Sequence, residues 1–186
     1  VKTALILAGL YADGETVVNE TVQSRNHTEL MLNSMGANIK IDGLSVHIGD
    51  TKKLSAQSID VCGDISSAAF FMVLGAIMPN SEITIKNVGM NETRTGIVDV
   101  FKAMNANMKI ENLHIVNCEP VADITVKTSS LNGTVISGSL IPRLIDEIPV
   151  IAVAAVFAGG QTVIKDAQEL KVKESNRIRA VVDEFT

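Results

Sequence analysis

Met35-Gly-Ala-Asn-Ile-Lys-Ile41 and Met104-Asn-Ala-Asn-Met-Lys-Ile110 are near-copies of one another, and together they decide the fold. In each, a Met closes an apolar run, Gly or Asn follows, and polar and apolar residues then alternate. That is the pattern of a helix that stops and hands over to a half-buried strand.

Reading outward from the first copy, Val1–Tyr11 is an apolar helical run ended by the turn pair Asp13-Gly14, and Glu15–Glu20 is a short strand. A polar loop ends in Ser24-Arg25-Asn26, and a helix from about Thr28 to Met35 is expected to bury Leu30, Met31 and Met35. Gly36 stops it, Ala37–Ile41 is the next strand, Asp42-Gly43 signals a hairpin, and Ser45–Ile48 returns.

The order recurs around the second copy. A helix over Ser66–Met78 is stopped by Pro79-Asn80, Glu82–Asn87 is a strand, a loop ends in Thr93-Arg94, and a helix runs from about Gly96 to Met104. Strands follow at Met104–Ile110, Asn112–Val116 and Asp123–Lys127, with a turn at Asn132-Gly133. This is an internal repeat of roughly 70 residues. A third copy begins with a helix at Ile148–Ala158, broken by Gly159-Gly160, and a strand at Gln161–Asp166. Its loop is Lys171-Val-Lys-Glu-Ser-Asn-Arg177, and its second helix runs from Ile178 to Thr186. The absence of a starting Met and the incomplete third copy point to an internal fragment.

Composition narrows the function. In 186 residues, 46% are hydrophobic, ample for a buried core, while aromatics are 3% with no Trp. A net charge of −5 argues against nucleic-acid or anionic-membrane surfaces, so any anion site must be local. Cys62 and Cys118 form neither a Cys-x-x-Cys pair nor a disulfide framework, and His27, His47 and His114 lack ligand spacing. A reduced, cytoplasmic protein without metal or cofactor is expected. The apolar runs Ala4–Leu10 and Ile148–Ala158 are too short to span a bilayer and are read as buried helices.

All three copies place Ser or Thr and an Arg where the loop enters the second helix: Ser24-Arg25, Thr93-Arg94 and Ser175-Asn176-Arg177. Ser, Thr and Asn cap orphan helix N–H groups. Arginine there opposes the helix dipole, so its recurrence favours an anion-binding role, although a repeat can also retain a residue by descent. The segment Lys171–Arg177 by itself fits equally a substrate anion site and a solvated, capped helix start.

Several stretches in order resemble the 5-enolpyruvylshikimate-3-phosphate synthase family, in its bacterial class II form. They are Val1–Ala12, Ser24-Arg-Asn-His-Thr-Glu-Leu-Met-Leu32, Gly63-Asp-Ile-Ser-Ser-Ala-Ala-Phe-Phe71, Asn87–Gly96, Asp146-Glu-Ile-Pro-Val150 and its continuation to Ala155, and Glu169-Leu-Lys-Val-Lys-Glu-Ser-Asn-Arg177. The resemblance implies an α/β fold (α+β in some schemes): an inside-out α/β barrel of six βαβαββ-type repeats, of which about two and a half are present here. On that map residues 1–61 are the last part of the first domain and residues 62–186 the first half of the second.

The implied reaction transfers an enolpyruvyl group from phosphoenolpyruvate to the 5-hydroxyl of shikimate 3-phosphate. Asp146 would accept the hydroxyl proton and Glu174 would exchange a proton with the methylene. Ser24, Arg25, Lys173 and Asp146 would bind shikimate 3-phosphate, and Arg177 phosphoenolpyruvate. The bland alternative for Asp146 is a helix N-cap before Pro149, and for Glu174 an acid in the first turn of a capped helix.

Asn176 stands where the family usually has Asp, and Lys171 where Arg is common. Asn176 keeps capping capacity and loses a charge beside Arg177. Arg94 has no assigned ligand, Ser66 and Ser67 read as the cap and first turn of their helix, His27 as a minor contact, and His47 and His114 as strand-surface residues. The resemblance leaves two competitors: a UDP-N-acetylglucosamine enolpyruvyl transferase sharing the repeat fold, and a non-catalytic folding or assembly unit. The full-length parent is expected to be monomeric. The isolated chain is expected to be inactive and, through unpaired strand edges, prone to self-association.

Overall fold

In the computed structural model, residues 1–51 and 53–185 are described. The chain forms two compact units, Val1–Val61 with Ile115–Glu119, and Cys62–His114 with the residues from Pro120 onward. No helix among the described residues is long and apolar enough to cross a membrane.

In the first unit the order is α1 (Lys2–Gly9), β1 (Thr16–Asn19), α2 (His27–Ser34), β2 (Ile39–Asp42) and β3 (Ser45–Ile48). Next along the chain, α3 (Ile65–Ile77), β4 (Glu82–Gly89), α4 (Gly96–Ala103), β5 (Asn107–Val116) and β6 (Glu119–Lys127) repeat that order in the second unit, save that Ile115–Glu119 at the β5–β6 turn belong to the first. The sheets are arranged alike. The last strand of each hairpin lies in the middle, giving β1-β3-β2 and β4-β6-β5. β1 and β2 both run antiparallel to β3, and β4 antiparallel to β6.

The two near-copies end their helices in the same way. The N–H of Ala37 reaches the carbonyl of Leu32 and that of Ala106 reaches Phe101, both at 2.9 Å, while Gly36 bonds to Asn33 and Asn105 to Lys102. This double closure requires a left-handed residue after the C-cap, which Gly36 (φ 93°) and Asn105 (φ 61°) supply. Each helix thus stops at a Met C-cap and turns directly into its hairpin.

After the second sheet come β7 (Val135–Ile136), a 3-10 turn at Gly138–Arg143, α5 (Ile148–Val156), β8 (Val163–Ile164), a 3-10 turn at Gln168–Lys171 and α6 (Arg177–Phe185). β7 and β8 pair in parallel. The second unit's core gathers Met72 of α3, Phe101 of α4, Ile124 and Val126 of β6, and Ile151 of α5. Ile6, Val18, Leu32, Val46 and Ile48 form that of the first. Gly75 lets α3 lie against β6, since a Cβ there would stand 2.9 Å from the Val126 carbonyl.

Several local expectations are corrected. Met104–Ile110 and Asn112–Val116 are one strand from Asn107, which Asn112 (φ 54°) crosses in a left-handed conformation. The strand at Gln161–Asp166 shortens to Val163–Ile164. α2 buries Glu29 and Leu32, while Met31 is exposed, because Lys2 draws Glu29 inward. α1 is buried only along Ile6 and Gly9, leaving Leu5 and Leu7 exposed, because only one of its faces meets the sheet. α5 buries Ile148, Val150, Ile151 and Ala154 but ends in exposed Val156 and Phe157.

Candidate active site

The first candidate residues lie on the loop into α2. Ser24 gives both its hydroxyl and its N–H (3.2 Å) to Glu20 Oε1. Lys2 Nζ bridges Glu20 Oε2 at 3.0 Å and Glu29 Oε1 at 2.8 Å. Burial pushes the Glu20 carboxyl up, but the Ser24 hydroxyl, Lys2 and the Ser24 N–H outweigh it and hold its pKa below the usual value. Ser24 and Arg25 therefore sit on a loop anchored to an ionised carboxylate. On the same unit, His27 Nδ1 lies 2.6 Å from Glu119 Oε1, a contact that accounts for a ring expected only as a minor ligand.

The second group lies at the starts of α5 and α6. Arg177, the first residue of α6, donates from Nε and Nη2 to Glu174 Oε1 at 2.9 and 2.7 Å, and from Nη1 to Asp146 Oδ1 at 3.3 Å. One planar guanidinium thus draws together residues 31 apart in sequence. The Glu174 carboxyl is held below its usual range by its own backbone N–H and by Arg177, and Arg177 is pushed up by Glu174. Asn176 Oδ1 accepts the Arg179 N–H at 3.1 Å, so it caps α6 as its side chain allows. Lys173 is paired with Glu169 at 3.0 Å.

Asp146 is not the cap of α5. That position belongs to Glu147, which makes no capping bond either, and Asp146 is left to face Arg177. Likewise Asp64, not Ser66, caps α3 by accepting the Ser67 N–H at 3.0 Å. Ser66 instead donates its hydroxyl to Glu147 Oε1 and accepts from Arg94 Nη2 at 2.6 Å, and the same Nη2 reaches Asp64 Oδ1 at 3.0 Å. Glu147, only 2% exposed, was missed by sequence reading. The one available signal was an acidic pair, Asp146-Glu147, directly ahead of an apolar helix. Arg94 and Arg177 both answer the puzzle of a cation at a helix start, because carboxylates compensate each of them.

Asp146, Glu174 and Arg177 can accept a proton, carry one and hold an oxyanion. Lys173 is held by Glu169, and Ser24 and Arg25 are in the first unit, so each is placed by its own element. Among the described residues no group of three His, Cys, Asp or Glu side chains is arranged to hold a metal ion.

A duplicated helix–strand–helix–hairpin unit of this kind is the fold of the enolpyruvyl transferases. The likeness extends to the distant enolpyruvyl transferase NikO of Streptomyces tendae, with a TM-score of 0.66 over 86% of this chain at 16% identity. The family model described as EPSP synthase (3-phosphoshikimate 1-carboxyvinyltransferase) matches residues 1–186, and the chain belongs to that family. It is 59% identical over 185 residues to the 3-phosphoshikimate 1-carboxyvinyltransferase of Thermoanaerobacter sp. (strain X514) and 58% identical to that of Geobacillus kaustophilus. It covers 44% and 43% of those proteins, so it spans less than half their length. The EPSP synthase of Acinetobacter baumannii superposes with a TM-score of 0.91 at 41% identity, covering 99% of this chain and 41% of that one.

Proposed function

We propose that the full-length protein carrying this chain transfers the enolpyruvyl group of phosphoenolpyruvate to the 5-hydroxyl of shikimate 3-phosphate, as a cytoplasmic monomer. Residues 1–61 belong to the end of its first enolpyruvyl transferase domain, and residues 62–186 to the first half of its second. The observation that carries this reading is the grouping of Asp146 and Glu174 around the Arg177 guanidinium, on a chain of the EPSP synthase family. Free Cys62 and Cys118 suit a reducing compartment.

In the proposed reaction, Asp146 takes the proton of the attacking hydroxyl as its oxygen bonds to C2 of phosphoenolpyruvate, and Glu174 gives a proton to the methylene carbon. Glu174 then removes a proton from the resulting methyl group as the C2–phosphate bond breaks. Phosphate leaves with the proton held by Asp146, and both carboxyl groups return to their starting states. Glu174 must carry a proton at the start. Its own backbone N–H and then Arg177 hold its pKa low in the present arrangement. Protonation therefore requires Arg177 to turn to the anionic substrate and the Glu174 carboxylate to leave its own backbone N–H as well. Ser24, Arg25 and Lys173 grip shikimate 3-phosphate, and Arg177 grips phosphoenolpyruvate in its planar fork.

Two phosphates and two carboxylates need more cations than Arg25, Lys173 and Arg177 provide, so the 186-residue chain alone is expected to give no turnover. In the full-length protein, Asp146→Ala and Glu174→Ala should each lower kcat by about 100-fold or more, with unfolding unchanged. The assay is phosphate release with shikimate 3-phosphate as acceptor. Near-normal turnover by both variants, or transfer only to a UDP-amino sugar, sinks the reading.

A further inference from the structure

Two neighbouring carboxylates, Asp146 and Glu147, point to different partners. Asp146 turns to Arg177 and is 29% exposed at its side chain. Glu147 turns into the interior and is 2% exposed. A carboxylate buried without compensation is costly, and burial does push the Glu147 carboxyl above its usual pKa, with Asp146 adding to the rise and Ser66 and Arg94 opposing it. An apolar side chain would fill that space without such a cost.

The partners of Glu147 come from two other elements. Ser66, in the first turn of α3, donates to Oε1, and Arg94, on the loop into α4, donates to Ser66 and to the α3 cap Asp64. The charge on Arg94 faces Glu147 across the shared hydroxyl. This chain of bonds ties the start of α5 to the start of α3. From the same point the backbone continues helically, with the Ile151 N–H on the Glu147 carbonyl at 2.9 Å. The Asp146 peptide is thus fixed between a pinned helix start and the close turn at Leu144, whose carbonyl accepts the Glu147 N–H at 2.9 Å.

We infer that Glu147, gripped by a Ser66 hydroxyl that Arg94 in turn holds, is a positioning residue that fixes the direction of the Asp146 carboxylate for proton acceptance. The inference rests on the reading of Asp146 given above. Misplacing a reacting group by about 1 Å can cost about 100-fold in rate. Removing the grip should therefore lower kcat rather than weaken substrate binding.

The test uses the full-length enzyme with Ser66→Ala, Glu147→Ala and Glu147→Gln, each also built on Asp146→Asn. kcat, both KM values and the urea midpoint are measured. Ser66→Ala and Glu147→Ala are expected to lower kcat by roughly 10- to 100-fold, with KM values within about 2-fold. Glu147→Gln, whose amide oxygen still accepts from Ser66, should recover most of the loss. On the Asp146→Asn background the same changes should have no further effect on kcat, which a general loss of structure would not reproduce. If Glu147→Ala fails to fold, Ser66→Ala decides alone. Unchanged kcat in Ser66→Ala, or equal losses with and without Asp146, overturns the inference. Near-normal kcat in Asp146→Asn itself would instead overturn the proposed role of Asp146.

Discussion

Gly96→Ala is a direct test of how the segment leading to Asp146 is held. Gly96 opens α4, and a Cβ built there would stand 2.9 Å from the Leu144 Cβ and 3.0 Å from the Arg143 carbonyl carbon and oxygen. None of these atoms can swing away as a side-chain tip would, so either the start of α4 or the end of the 3-10 turn must move. Arg143 resists that movement, because it donates to the Glu92 carbonyl at 2.7 Å and to Asp99 at 2.8 Å. Overpacking of this kind costs about 1–3 kcal/mol. Replacing Gly by Ala returns about 0.4–1 kcal/mol by restricting the unfolded chain. The expected net loss is therefore on the order of 1–2 kcal/mol. Urea unfolding of the full-length protein, followed by far-UV circular dichroism, should show a lower midpoint at unchanged slope. Gly159→Ala is the matched control, since its nearest neighbour would be the Leu131 carbonyl at an ordinary 3.7 Å. A Gly96→Ala midpoint equal to that of Gly159→Ala would refute the close contact between α4 and the segment before Asp146.

Two further outcomes follow from the buried charges. Lys2→Met leaves Glu29, 1% exposed, without its cation; a loss of about 3–5 kcal/mol is expected, and the double variant Lys2→Met/Glu29→Leu should recover much of it in the same unfolding assay. With pH, the two kinds of carboxylate act oppositely. Burial raises the Asp64 carboxyl, but the N–H groups of Ser67 and Ser66, the Ser67 hydroxyl and Arg94 outweigh it, and the result, as for Glu20, is a lowered pKa. Their contribution is full above the ordinary values of 3.8 and 4.5 and is lost as pH falls through the lower folded values. Glu147, raised by burial from 4.5, binds its proton more tightly when folded, so stability declines as pH rises from 4.5 through its folded value. Midpoints measured against pH should decline less over that upper window in Glu147→Gln; an identical profile would contradict the raised pKa.

The order of elements and the repeat were legible in the sequence because their causes are local. Gly36 and Asn105 end helices by a conformation that their own backbones favour, and the alternation after them turns the chain into a strand within a few residues. Glu174, Asn176 and Arg177 were likewise found as neighbours on one loop, and Asn176 caps α6 as its chemistry predicts. The partners of buried charges were not legible. Ser66 and Glu147 are 81 residues apart, so no local pattern distinguishes that hydroxyl from a helix cap or that carboxylate from a solvated one. The same holds for Glu29, whose inward turn rotates the buried face of α2 away from Met31. Sequence alone determined the order of helices and strands, and which residue types could meet an anion. Only the tertiary structure decided which carboxylate faces Arg177 and which is gripped in the interior, because burial and charge compensation depend on distant elements approaching one another.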